Sequence, residues 1–286
     1  MRRRRMRAWS ALAASAVTAA AMLLAAPGTA HADTSPPGAN DWTCKPTPQR
    51  PRPVVLVHGT FENMAFNWQW LSPVLKRHGY CVFALNYGGK TPESPIQGTE
   101  DIPTSAGQLA AFVDAVLKAT GAAEVDIIGH SQGGMMPRYY VRFLGGADKV
   151  HHLIGLAPSN YGTTFWGLVV EGGLMRLTEL AVRLAPAVGQ QIEGSQFLRK
   201  LNDGGDTVPG VVYTVIASRY DEVVTPYTNS FLKDGRARNL TIQDLCPLNP
   251  VEHLAIIWDK PTQLVILNTL AGLDPRTPVE CAFPRP

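Results

Sequence analysis

Five residues restrict this chain more than any other feature: Gly129-His130-Ser131-Gln132-Gly133. They follow Val125-Asp126-Ile127-Ile128, a short β-branched run that reads as a strand. They precede residues 135–143, which read as a helix. A serine at a sharp strand-to-helix turn is lifted above the edge of a sheet with its backbone strained. Side chains two residues before and after it would collide there. Gly129 and Gly133 remove those collisions, and Gly134 gives further room. The pattern therefore asks for an α/β framework and offers a nucleophile in return.

The flanking sequence supplies such a framework. Residues 53–57 are apolar throughout, as in a strand covered on both faces. Residues 68–78 read as a helix with Trp70, Leu71, Val74 and Leu75 on one side, and 81–85 as the next strand. In 104–120, Leu109, Phe112, Val113, Val116 and Leu117 recur at helical spacing, and Gly121 stops the helix. Further strands are expected at 150–156, 211–217 and 240–242, with a last helix around 262–270. Strand and helix in alternation predict a mostly parallel sheet with helices on both faces. Residues 163–210 break this rhythm with an apolar stretch that reads as helical. It is either an enlarged crossover or a cap that supplies an acyl pocket. Under the second reading Phe165 and Trp166 are candidate substrate contacts.

The first 32 residues read as a secretory signal peptide, with five early arginines, an Ala-rich apolar middle and Ala30-His31-Ala32 before Asp33. A membrane anchor is the rival reading, but an uncleaved span needs about 20 strongly apolar residues. Without the leader, 21 basic residues face 23 acidic ones, so the formal charge changes from +3 to −2. No basic stripe remains for a nucleic acid. Residues 33–286 are expected to form one domain, exported, with no transmembrane segment and acting as a monomer. Four cysteines in an exported chain read as two disulfides. Of the three possible pairings, Cys44–Cys81 and Cys246–Cys281 each tie a terminal segment to the nearest part of the core. No two of them have metal-ligand spacing.

A nucleophilic serine needs a base. His78 ends a surface helix, and His151 and His152 begin a strand at the far edge of the sheet. His58 adjoins the first strand and more simply braces the loop that follows it. His130 lies within the serine turn with its side chain directed away from the hydroxyl, and is retained as a substrate-contact candidate. His253, in a late loop, remains as the base. The acid should stand at the C-terminal end of a strand between Ser131 and His253. Asp221 fits, with Glu222 adjacent and Asp206 and Asp244 as rivals. Oxyanion donors are expected from the Gln132 amide and from the loop His58-Gly59-Thr60-Phe61. Gly59 permits a tight turn there, Thr60 is the preferred donor, and Phe61 is the fallback and a substrate-contact candidate.

Longer stretches carry a resemblance: Val57-His58-Gly59-Thr60, Gly129 to Gly134, Ala157-Pro158-Ser159-Asn160-Tyr161-Gly162-Thr163-Thr164, and Arg219-Tyr220-Asp221-Glu222-Val223-Val224-Thr225-Pro226. Together they resemble the secreted actinobacterial lipases and esterases of the α/β-hydrolase superfamily, similar to small class 2-like bacterial lipases with a reduced, six-stranded sheet. The resemblance implies a Ser131, Asp221, His253 triad acting on acylglycerols or other carboxylic esters, without metal or cofactor and in reach of a lipid–water interface. A polyester hydrolase or an acyltransferase would use the same triad. A binding module that keeps only the fold is the reading from a different class.

Overall fold

The computed structural model describes residues 34–164 and 185–281. The expected signal peptide and residues 165–184 of the expected cap insertion, Phe165 and Trp166 among them, lie outside the described residues.

Six strands form one sheet, in the order β2-β1-β3-β4-β5-β6. They are β1 (Val54–Val57), β2 (Val82–Leu85), β3 (Val125–His130), β4 (Val150–Leu156), β5 (Val212–Ala217) and β6 (Arg238–Thr241). Every pairing is parallel. The expected sheet is therefore present, and with helices on both faces it is a reduced α/β-hydrolase arrangement. Strand residues alternate between two cores, as a two-residue period requires. Val55, Val57, Phe83 and Ile127 pack on one face, and Val54, Leu56, Ile128 and Ile154 on the other. The first face is covered by α3 (Ile102–Thr120) and α4 (Gln132–Phe143). The second meets α1 (Met64–Trp68), α2 (Leu71–Arg77) and α8 (Lys260–Leu270).

The helix expected over 68–78 runs over Leu71–Arg77, and a separate helix, α1, ends at Trp68. Asn63 caps α1 by accepting the Phe66 amide, and the chain turns again before Leu71. Trp68 is thereby fully buried while Trp70, expected on the inner side, is 58% exposed. Helix α3 ends as expected, with Gly121 in the left-handed region at φ 76°. Within the described part of the 163–210 insertion stand two short helices, α5 (Pro186–Gln190) and α6 (Gln196–Asn202). A further short helix, α7 (Ile242–Leu245), follows β6.

The sequential register puts Val57, Leu85, His130, Leu156, Ala217 and Thr241 at one edge. Strand order reverses between β1 and β3: the chain leaves β1 toward β2 and leaves β3 toward β4. Loops diverge at such a point and open a crevice at the C-terminal edge. The loop carrying Thr60 and the turn carrying Ser131 flank it. The disulfides pair Cys44 with Cys81 and Cys246 with Cys281, each closing a terminal segment onto the sheet.

Candidate active site

Ser131 joins β3 to α4 at φ 53° and ψ −121°, a conformation that few residues other than glycine adopt. Neighbouring strands and the helix force it. The Ser131 amide donates to the Leu156 carbonyl at 2.9 Å, extending the β3–β4 ladder to the last residue before the turn. The glycines are needed for clearance. A Cβ on Gly129 would lie 1.8 Å from the Gly133 carbonyl oxygen, and one on Gly133 would lie 2.2 Å from the Val57 carbonyl oxygen.

His253 arrives on the loop after α7 and is 5% exposed. Its Nδ1 faces Asp221 Oδ2 at 2.9 Å. Asp221 follows β5, and its other carboxylate oxygen accepts the Val223 and Val224 amides at 2.9 and 2.7 Å. Both oxygens are thus occupied, which fixes the carboxylate plane and orients the ring so that Nδ1–H donates to Asp221. Nε2 is then the nitrogen with a lone pair. The rival acids are engaged elsewhere. Asp206 lies before β5 with Arg138 at 3.4 Å and the Tyr161 hydroxyl at 2.7 Å. Asp244 accepts the Thr241 amide at the start of α7 and pairs with Arg219. Glu222 accepts the His253 amide at 3.3 Å, and its carboxyl is pushed up by burial and by neighbouring Glu252.

In the loop after β1, the Phe61 amide donates to the Gln97 carbonyl at 2.9 Å and is therefore occupied. Thr60 differs. Its hydroxyl oxygen accepts from Gln132 Nε2 at 2.8 Å and from Gln191 Nε2 at 2.9 Å. With both lone pairs taken, the hydroxyl proton is directed away from those amides. His58 braces the loop as expected: Nδ1 donates to the Gly59 carbonyl at 2.8 Å, and Nε2 lies 3.4 Å from the Tyr87 amide. Burial pushes its pKa down to about 4, which keeps it neutral.

Ser131, His253 and Thr60 line one cavity of about 360 Å3. Phe61, Val188, Val223, Val224 and Leu254 give it apolar walls, and Ser159 and Gln191 add hydrogen-bonding groups. Phe61 is 56% exposed at its rim. Among the described residues, no group of three or more His, Cys, Asp or Glu side chains is placed to hold a metal ion.

His130, a substrate-contact candidate from the sequence, is 1% exposed, and its ring centroid stands 4.9 Å from that of His253. At Gly59 a Cβ would meet Glu62 Oε2 at 2.8 Å and His130 Nδ1 at 3.1 Å, so both side chains stand directly against this glycine. Glu62 and Gln191 went unnoticed in the sequence. Neither sits in a motif, and their positions depend on how loops fold over the sheet edge. Phe165 and Trp166 lie outside the described residues.

The chain is similar to known proteins in both sequence and fold. Residues 51–248 match the family model described as Lipase (class 2). Over 93 residues, 30% of this chain, the sequence is 41% identical to a triacylglycerol lipase of Pseudarthrobacter phenanthrenivorans. That match spans 27% of the lipase's length. Over 212 residues, 71% of this chain and 56% of the relative, it is 26% identical to Lipase B of Pseudozyma antarctica. The crystal structure of Aspergillus fumigatus lipase B superposes with a TM-score of 0.65 at 18% identity, covering 83% of this chain and 55% of that one. At that identity the likeness shows a shared fold.

Proposed function

The chain belongs to the class 2 lipase family, and from that premise we propose that it is a secreted serine lipase or esterase that hydrolyses acylglycerols and other carboxylic esters through an acyl-enzyme on Ser131. The observation that carries the reading is the convergence, at one sheet edge and in one apolar cavity, of a strained serine, a histidine oriented by a carboxylate, and a threonine whose hydroxyl proton is available.

The reaction follows from these atoms. His253 Nε2 takes the Ser131 proton as Oγ attacks the ester carbonyl, and Asp221 stabilises the imidazolium through Nδ1–H. The Thr60 and Gln132 amides, helped by the Thr60 hydroxyl, hold the oxyanion. The tetrahedral intermediate collapses, His253 returns its proton to the leaving alcohol, and Ser131 is left acylated. A water, deprotonated by His253, then attacks the acyl carbon and releases the acid and free Ser131. Removal of residues 1–32 on export accounts for the leader, and an exported compartment suits the two disulfides. The apolar cavity walls fit the hydrocarbon part of an ester or lipid substrate.

A serine-directed organophosphonate tests this most directly. Wild-type protein should take up one equivalent at Ser131 and lose nitrophenyl-ester hydrolysis in step. Ser131→Ala should be unlabelled and fall by about 10^6 in kcat while keeping its fold. Substantial hydrolysis by that variant would sink the assignment.

A further inference from the structure

Beneath His253 lies a pair of side chains that the ester-hydrolysis chemistry does not use. Glu62, in the loop between β1 and α1, meets His130, the last residue of β3, with Oε2 3.1 Å from Nδ1. The same oxygen accepts the Gly59 amide at 2.9 Å. On the other side of the His130 ring, Nε2 lies 3.0 Å from the backbone carbonyl of His253. One carboxylate and one imidazole thus contact three segments: the loop that carries Thr60, the turn that carries Ser131, and the loop that carries His253.

Both His130 nitrogens face oxygen acceptors. A neutral imidazole has one N–H and could satisfy only one of them, so the ring bonds both acceptors as an imidazolium. The other groups facing the pair are His58, Tyr87, Asp221 and His253, together with the amide of Asn67. Asn67 Nδ2, itself a donor, stands off at 3.4 Å from Nδ1, while Asn67 Oδ1 accepts the Gly59 amide at 3.2 Å. Of these groups His58 is neutral, and Asp221 favours the charge on His130. Burial opposes that charge, but attraction to Glu62 and its hydrogen bond outweigh it and hold His130 above the ordinary histidine range. Burial likewise opposes the Glu62 carboxylate, while His130 and the Gly59 amide hold it below the ordinary range.

We propose that Glu62, at the cavity wall, and the buried His130 form an ion pair that positions the catalytic machinery, clamping the His253 loop to the oxyanion loop and the serine turn so that His253 stands in register with Ser131. Desolvating two charges is expensive, and well-packed apolar residues often serve stability equally well. Apolar side chains at 62 and 130 could not bond the Gly59 amide or the His253 carbonyl. Those two bonds are the ones that reach the reacting groups. The inference rests on the Ser131–His253–Asp221 reading for its catalytic meaning, but the charge state and the clamp are properties of the fold.

Two measurements on the full chain test it. In protein labelled with 15N-histidine, one imidazole should carry protons on both nitrogens at neutral pH and vanish in His130→Gln. Glu62→Gln should change that ring and also shift the Nδ1–H resonance of His253, two contacts away. For kinetics on a soluble nitrophenyl ester, Glu62→Gln and His130→Gln should each lower kcat on the order of 100-fold, as expected for a small misplacement of a catalytic group. KM should stay within about twofold, and the double variant should lose no more than the worse single one, because both break one clamp. A singly protonated His130 in the wild type overturns the ion pair. An unmoved His253 resonance, unchanged kcat in folded variants, or multiplicative losses in the double variant overturn the positioning role. A wild-type chain that cleaves no ester overturns the catalytic reading, whereas the spectra still decide the clamp.

Discussion

Asp221 Oδ2 and His253 Nδ1 stand 2.9 Å apart although 32 residues separate them in the chain. The contact exists because β5 ends where the loop after β6 and α7 folds back across the same sheet edge. Asp221 accepts three hydrogen bonds, and two of them come from backbone amides just beyond it. A carboxylate held in this way has little freedom to turn away from the imidazole.

Asp221→Asn should therefore preserve the local geometry and reverse the tautomer. The amide can donate to Nδ1, which places the His253 proton on Nε2, the nitrogen that must accept from Ser131. The expected loss in kcat is about 10^4-fold, with organophosphonate labelling of Ser131 slowed to match. A loss of less than tenfold would remove Asp221 from the proton path and return attention to Glu222, which already accepts the His253 amide.

The glycines around Ser131 should be intolerant of even a methyl group. Gly133→Ala would put a carbon 2.2 Å from the Val57 carbonyl oxygen and 2.3 Å from that of His58, so α4 would have to move off β1. Such an overpacked position costs at least about 1–3 kcal/mol, and the serine would leave the sheet edge. Reduced melting temperature together with lost labelling is expected. Gly121→Ala is the contrast, since no atom lies near its Cβ and only a left-handed φ of 76° must be tolerated. It should cost about 1 kcal/mol and leave hydrolysis intact.

Acid sensitivity should come from neutral buried histidines. Burial pushes His58 and His152 each to about 4, against an ordinary 6.5. The unfolded chain takes up a proton on each as the pH falls through 6.5, and the folded chain does so only near 4. Their contribution to stability is thus complete above 6.5 and is lost progressively between 6.5 and 4. His130, raised in the fold, acts in the opposite sense and at higher pH, where its contribution fades as pH rises through its folded value. Urea unfolding between pH 6 and 5 should show stability falling by up to about 2.7 kcal/mol per pH unit for the two protons. His152→Gln, which can retain the 2.9 Å contact with Thr214, should reduce that slope by about half. An unchanged slope would place the proton uptake elsewhere.

The disulfides close loops of 37 and 35 residues. Replacing either pair by serine should cost about 4 kcal/mol in the chain-entropy model. Cys44→Ser with Cys81→Ser should lower the melting temperature and leave kcat near the wild-type value, because that bridge lies at the β2 edge, away from Ser131. Equal stability with and without reductant would refute the contribution.

The serine turn was legible because its demands are local. Five residues decide whether a strand can turn into a helix around a strained position, and the glycines at 129 and 133 record the collisions they avoid. The strands were legible for a similar reason: a parallel sheet covered on both faces needs short, uninterrupted apolar runs. Trp70 shows where this legibility ends. Helical spacing placed it inward, but the break before Leu71, set by how α1 and α2 meet the sheet, left it exposed.

By itself, then, the sequence determined the strand order along the chain, the serine turn and the small set of residues able to serve it. Only the tertiary structure decided that His253 and Asp221 share a hydrogen bond, that the Phe61 amide is occupied, and that His130 faces Glu62. Those outcomes depend on loops converging at a sheet edge where the strand order reverses. Contacts of that kind join residues far apart in the chain, so no local pattern of spacing or charge encodes them.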